Sequence, residues 1–216
     1  FYSVDPKTLP SPAAWEVGKA LGDALLSKYL DEENQYPEMV GIVVWGTSAM
    51  RTHGDDIAQI LYLLGVRPVW QQESRRVSGI EVIPLEELGR PRIDVTVRIS
   101  GFFRDAFPNL IYTLDQAIQT VAALTDESPG ENYIRTHLIE DTNNQNMESH
   151  TELPSPGDTP SLFRIFGSKP GTYGAGILQV LDERNWETVQ DLAEVYTAWG
   201  GYAYTQKNFG VTARNE

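Results

Sequence analysis

Apolar and polar positions along the chain read as strands alternating with helices. Ser11-Pro12 is a hydroxyl N-cap followed by proline at the first helical position, and Ala14, Val17, Leu21, Ala24 and Leu25 recur at helical spacing. This predicts a helix from Pro12 to about Leu30. After the polar turn Asp31 to Pro37, the near-continuous apolar run Met39 to Trp45 has the length of a strand buried on both faces. A polar loop then leads to Ile57, Ile60, Leu61 and Leu64, a short helix with Asp55 and Asp56 at its positive end and Gly65 as its stop. Val66 to Trp70 and Ile80 to Ile83 read as strands around the charged turn Glu73 to Arg76, and Pro84 to Gly89 as one helical turn.

Ile93 to Ile99 alternates strictly, with Ile93, Val95, Val97 and Ile99 on one face and Asp94, Thr96 and Arg98 on the other. It ends in a charged loop, Ser100 to Asp105, before a helix carrying Leu110, Ile111, Leu114, Ile118 and Val121. From Thr125 to Pro160 periodicity is lost except for a helical island around Tyr133 to Ile139, and Asp141 to Pro160 reads as a mobile insertion. Leu162 to Phe166 is a strand, Gly167 to Gly176 a glycine-dense loop, and Ile177, Leu178 and Leu181 start a helix. Thr188 with Asp191 resembles a capping box ahead of Leu192, Val195, Tyr196 and Trp199. The tail from Tyr202 shows no stop signal of its own.

The expected fold is therefore α/β, a mostly parallel sheet of about five strands flanked by helices. Residues 1–140 form the α/β core, 141–160 the insertion, and 161–216 complete the same or an adjoining α/β domain. There is no internal repeat. A chain of 216 residues can bury a large core without staples, and with no cysteine it has no disulfide, thiolate metal site or thiol nucleophile. A formal net charge of -13 repels a phosphate backbone, which argues against nucleic acid. No apolar run nears the ~20 residues of a membrane span, so a cytoplasmic protein is expected. The start at Phe1, with a turn following at once, suggests a piece of something longer.

Ligand crevices in open α/β sheets lie beyond the carboxyl ends of the strands, so the loop from Trp45 to Asp56 is the first candidate site. His53, Asp55 and Asp56 can transfer protons, and His53 with Asp56 can meet a metal; acids at a helix start are also ordinary caps. Arg51 of that loop can hold an anion, and Arg98, Arg104, Arg135 and Arg164, each in or beside a strand end, can hold carboxylates, with pairing to the chain's many acids as the plain alternative. Lys169 and Tyr173 belong to the glycine-dense loop, which fits neither a phosphate-loop nor a dinucleotide pattern. His137 lies on the island with Arg135 and Tyr133, where a solvated helix face is the plain alternative. His150 falls in the insertion. Most aromatics, Trp45, Phe102, Phe103 and Trp199 among them, read as core, although those in loops could stack on a flat ligand.

Four stretches together resemble one family: F-Y-S-V-D-P at Phe1, V-V-W-G-T-S-A-M-R-T-H-G-D-D from Val43, I-P-L-E-E-L-G-R-P-R-I-D-V-T-V-R-I-S-G-F-F-R-D-A-F-P from Ile83, and R-I-F-G-S-K-P-G-T-Y-G-A-G from Arg164. They are similar to the large subunit of cobaltochelatase and, over the same span, to that of magnesium chelatase. The glycine-dense loop and W-G-G-Y-A-Y from Trp199 look more like the cobalt branch. The resemblance implies a fragment of a larger multidomain subunit that inserts Co²⁺, as substrate metal, into a hydrogenobyrinic-type, corrin-like tetrapyrrole in cobalamin synthesis. It further implies ATP bound and hydrolysed by separate AAA+ partner subunits, and a fragment inactive without the rest of the large subunit. On that footing His53, Asp55 and Asp56 would serve proton removal or metal delivery, and Arg51, Arg98, Arg104, Arg164 and Lys169 the macrocycle's peripheral anions, with Tyr173 beside them. A magnesium-chelatase homologue and a non-catalytic tetrapyrrole-binding or partner-docking module remain the alternatives.

Overall fold

The computed structural model describes residues 4–148 and 162–213. Helix α1 (Pro12–Glu33) starts on Ser11, whose Oγ accepts from Ala14 N at 3.1 Å. It is followed by β1 (Met39–Val44), α2 (Gly46–Thr52), α3 (Asp55–Leu64), β2 (Val66–Trp70), β3 (Val77–Val82) and the short α4 (Leu85–Leu88). Then come β4 (Asp94–Ile99), α5 (Gly101–Ala106), α6 (Pro108–Ala122) and α7 (Tyr133–Glu148). Beyond the undescribed interval lie β5 (Ile165–Gly167), α8 (Ile177–Asp182), α9 (Val189–Trp199), β6 (Tyr202–Tyr204) and β7 (Phe209–Thr212).

The main sheet has five strands in the order β1-β4-β5-β6-β7. β4 pairs in parallel with β1 and β5, while β6 is antiparallel to both β5 and β7, so every strand but β6 points the same way. The strands at 66–70 and 77–82 do not join it but form a separate antiparallel hairpin. The tail that carried no sequence signal is the β6-β7 hairpin, its strands too short for a visible period. β5 bonds directly to β4, which puts residues 162–213 in the same sheet as the earlier part of the chain. Of the expected insertion, residues 141–148 continue α7, and the remainder lies outside the described residues.

The alternation of β4 decides where the core lies. Val95, Val97 and Ile99 are buried on one face with α3 and α6, and Val40, Ile42 and Val44 of β1 share that face. Met39, Gly41 and Val43 on the other face of β1 are exposed. In α1 the buried positions are Ala14, Trp15, Gly18, Gly22 and Leu26, whereas Val17 and Leu21 of the expected stripe face solvent. Glycine is the cause: a Cβ on Gly18 would lie 2.5 Å from that of Ala58, so the helices touch backbone to backbone on a face with little apolar bulk.

Two segments expected to be charged loops are helical. Residues 46–52 form α2, and 101–106 form α5, capped by Ser100. The Ser100 hydroxyl accepts from Phe103 N at 3.1 Å and from Gly46 N at 3.2 Å, so one side chain satisfies donors at the starts of both helices.

Candidate functional site

The carboxyl ends of β1, β4 and β5 meet at one rim. Ser100 N donates to Val44 O at 3.0 Å, and Gly46 packs so tightly against Phe102 and Phe103 that a Cβ there would lie 2.4 Å from the Phe102 ring. Gly101 likewise leaves room for Tyr173, whose ring would be 2.6 Å from an added Cβ. Between them opens a crevice of about 120 Å³ lined by Val43, Trp45, Arg98, Gly101, Ala175 and Tyr196 among others. Trp45 is 58% exposed and Tyr173 60%, so large aromatic faces stand at this rim uncovered. The Arg98 guanidinium lies 4.9 Å from the Tyr196 ring centre and against Gly200, where any side chain would collide with it. Arg98 also borders a second, shallower cavity of about 420 Å³ with Phe166, Thr197 and Gly201.

The glycine-dense loop owes its shape to Arg104. That side chain is 1% exposed and does not face solvent, contrary to a direct ligand-binding role. Its Nη1 donates to the carbonyls of Ser168 (3.2 Å), Lys169 (2.9 Å) and Thr172 (3.1 Å). Its Nε and Nη2 grip both oxygens of Asp105 at 2.6 and 2.9 Å. The same carboxylate accepts from the Tyr173 hydroxyl at 2.6 Å, and Tyr204 donates to Ser168 O from the other side. The Arg104 fork, helped by Tyr173, holds the Asp105 carboxyl below the usual range, while Asp105 in turn raises the Tyr173 phenol. Lys169 is exposed, beside a cavity of about 330 Å³ lined by Thr172, Val195, Trp199 and Tyr202.

The other expected residues stand elsewhere. α2 begins at the rim, but His53 lies past its far end, about 10 Å along the axis. There its backbone is left-handed (φ 58°) and its side chain exposed, in an open cavity of about 770 Å³ lined by Thr8, Ser11, Pro12, Ala13, Ser74 and Arg75. Asp55 opens α3 after the Gly54 N-cap, and its Oδ1 accepts from Asp56 N at 2.8 Å. Burial, then the neighbouring Asp55, pushes the Asp56 carboxyl up, against a hydrogen bond from Ser48 and the charge of exposed Arg51. Among the described residues no three His, Asp or Glu side chains converge to hold a metal, so His53 and Asp56 do not sit in such a set.

Arg164 is at the opposite end of the sheet. It precedes β5 and bonds through Nε to both oxygens of Asp94 at 2.9 Å, and Asp94 opens β4, about 17 Å of strand away from Ile99. Asp94 is fully buried and also meets His137 Nδ1 at 2.9 Å. An acid on the polar face of a strand and a histidine on a helix of weak periodicity carry no local signal that they pair. The alternation of β4 puts Asp94 on the polar face, and its burial shows only in the structure.

The whole chain, residues 1–216, matches the CobN/Magnesium Chelatase family. It belongs to that family. It is 49% identical to the aerobic cobaltochelatase subunit CobN of Pseudomonas aeruginosa over 99% of its own length and 17% of that protein's. It is 36% identical to the chloroplastic magnesium-chelatase subunit ChlH of Oryza sativa subsp. indica over 94% of the chain and 14% of the relative. The catalytic subunit of cobaltochelatase from Mycobacterium tuberculosis superposes with a TM-score of 0.90 at 55% identity, covering 98% of this chain and 17% of that one. The chain thus spans about a sixth of the length of these cobaltochelatase subunits. No helix among the described residues is long and apolar enough to cross a membrane.

Proposed function

We propose that this chain supplies one wall of the tetrapyrrole site in a cobaltochelatase large subunit, which inserts Co²⁺ into a corrin-type macrocycle in cobalamin synthesis. ATP is bound and hydrolysed by AAA+ partner subunits, in the cytoplasm. The observation that carries the reading is the rim crevice, where exposed Trp45 and the Arg98 guanidinium on Tyr196 line one opening and exposed Tyr173 packs on Gly101 beside it. Flat aromatic faces suit a macrocycle, and a guanidinium suits its peripheral carboxylates. At about 120 Å³ the crevice cannot enclose a tetrapyrrole, in keeping with relatives about six times longer that supply the other walls.

Within this reading Arg98 holds an anion, Tyr173 and Trp45 offer faces, and Lys169 lies beside the rim. Arg104 shapes the loop and Arg164 anchors the sheet's far end. His53, Asp55 and Asp56 lie outside the crevice, so the proton removal that metallation requires is not assigned to them. Titration of the large subunit carrying this segment with a carboxylated corrin-type tetrapyrrole, followed by absorbance and tryptophan fluorescence, tests the proposal. Arg98→Met is expected to weaken binding about tenfold, the loss of one charge-assisted contact, and His53→Ala to leave it unchanged. Equal affinity in the wild type and Arg98→Met, with loss in His53→Ala, would overturn the assignment. Running the turnover assay with Co²⁺ and with Mg²⁺ separates the cobalt from the magnesium branch. Binding without metal insertion in either would favour a non-catalytic module.

A further inference from the structure

At the amino end of β4, away from the tetrapyrrole rim, four side chains make an arrangement that the proposed function does not use. Glu38 stands just before β1, where its carbonyl accepts from Asp94 N at 3.1 Å. Asp94 is 0% exposed and held by Arg164. His137 projects from the first turns of α7, and the start of that helix is tied to β4's approach by Tyr133 N donating to Arg92 O at 3.1 Å. The imidazole stacks on Tyr133, places Nδ1 2.9 Å from the Asp94 carboxylate, and keeps its side chain 18% exposed. Its Nε2 looks toward the Glu38 carboxylate, 3.8 Å away and 68% exposed.

An ionised carboxylate only accepts, so a proton on Nδ1 matches Asp94, and in that tautomer the ring presents its lone pair at Nε2. A histidine steered by a buried carboxylate, with the other nitrogen bare, is the form in which imidazole ligates transition metals. The second donor is in reach. Nitrogen and carboxylate ligands at about 2.0–2.2 Å from one ion lie roughly 3–3.4 Å apart, and exposed Glu38 closes that gap by moving less than about 1 Å.

We infer that His137 Nε2 and the Glu38 carboxylate form a docking site for a divalent transition-metal cation, with Asp94 as the orienting carboxylate and water completing the shell. Among the described residues the site offers two protein donors, His137 Nε2 and Glu38. Imidazole selects cobalt- or zinc-like ions over magnesium. The inference does not depend on the tetrapyrrole reading, and a failure of either leaves the other standing.

The chain has three histidines, His53, His137 and His150, which makes the test direct. In the full chain labelled with ¹⁵N-histidine, the ring nitrogens report the tautomer without metal and then the site that moves as ZnCl₂ is added. His137 is expected with its proton on Nδ1, its Nε2 signal moving first with Zn²⁺ and staying still with MgCl₂. Glu38→Gln should weaken the Zn²⁺ response by roughly three- to tenfold, as one charged ligand is lost. His137→Gln should remove it, and the wild-type spectra decide the matter should that variant not fold. A proton on Nε2, or Zn²⁺ moving His53 or His150 ahead of His137, would overturn the inference.

Discussion

Arg104→Met removes the side chain that gathers the glycine-dense loop, and its cost can be worked from the bonds it breaks. Nη1 has only two hydrogens for the carbonyls of Ser168, Lys169 and Thr172, so the three contacts count as about two charge-assisted bonds, each worth roughly 1.5–2 kcal/mol. None of the carbonyls is orphaned. Ser168 O keeps the Tyr204 hydroxyl, Lys169 O keeps Thr172 Oγ1 at 2.6 Å, and Thr172 O keeps Ser168 Oγ at 2.8 Å. The pair with Asp105 adds no more than about 1 kcal/mol, because that carboxylate is 41% exposed and screened by water. The sum is a loss of about 4 kcal/mol, or a fall of about 8–16 °C in Tm for a chain of this size. Arg104→Lys keeps the charge and can reach the carbonyls but not the fork, so it should lose about half as much. Urea and thermal melts of the three proteins by circular dichroism measure both. A loss under about 1 kcal/mol in Arg104→Met would refute the claim that this guanidinium holds the loop.

Arg92→Met should cost about 3–5 kcal/mol, because it leaves the Glu127 carboxylate, 9% exposed, without its counter-charge and takes donors from the carbonyls of Gly65 and Ile83. Adding Glu127→Gln to that variant should recover at least about 1 kcal/mol in a urea melt, and no recovery would mean the pair is not the cause. Burial raises the Asp115 carboxyl, against the bond it accepts from Gln206 N at 2.8 Å. A folded pKa above the unfolded one makes the ionised group a cost at neutral pH, relieved as pH falls through the folded value. Asp115→Asn should therefore melt above wild type at pH 7 and match it below about pH 3.9, a difference read from Tm against pH.

Much of the framework was legible because large apolar residues and caps signal locally. Ser11-Pro12, Gly65, the alternation of β4 and the Thr188-Asp191 cap all stand where they were expected, the last with Thr188 N donating to Asp191 at 2.7 Å. What stayed hidden depends on partners distant in sequence. The buried face of α1 follows its glycines, because the neighbouring helix comes close enough to need them. Arg104 and Arg164 read as candidate anion holders, yet one is turned inward onto carbonyls 64 to 68 residues away and the other onto Asp94. His53 lies beyond α2 because residues 46–52 coil up instead of extending along the rim. A site beyond the strands' carboxyl ends was foreseeable from the alternation of strands and helices, but its cation, Arg98, is singled out only by its seat on Tyr196.

One consequence follows from the way Arg104 stands behind the glycine-dense loop. The contour of residues 168–172 is set jointly by a helix from another part of the chain and by the loop's own bonds from Ser168 and Thr172. Exchanges at exposed Lys169 can therefore recolour the rim without redrawing it, whereas Gly171, at φ 79°, has to stay as it is. A change at the single hidden guanidinium would redraw the rim while leaving every residue on display the same.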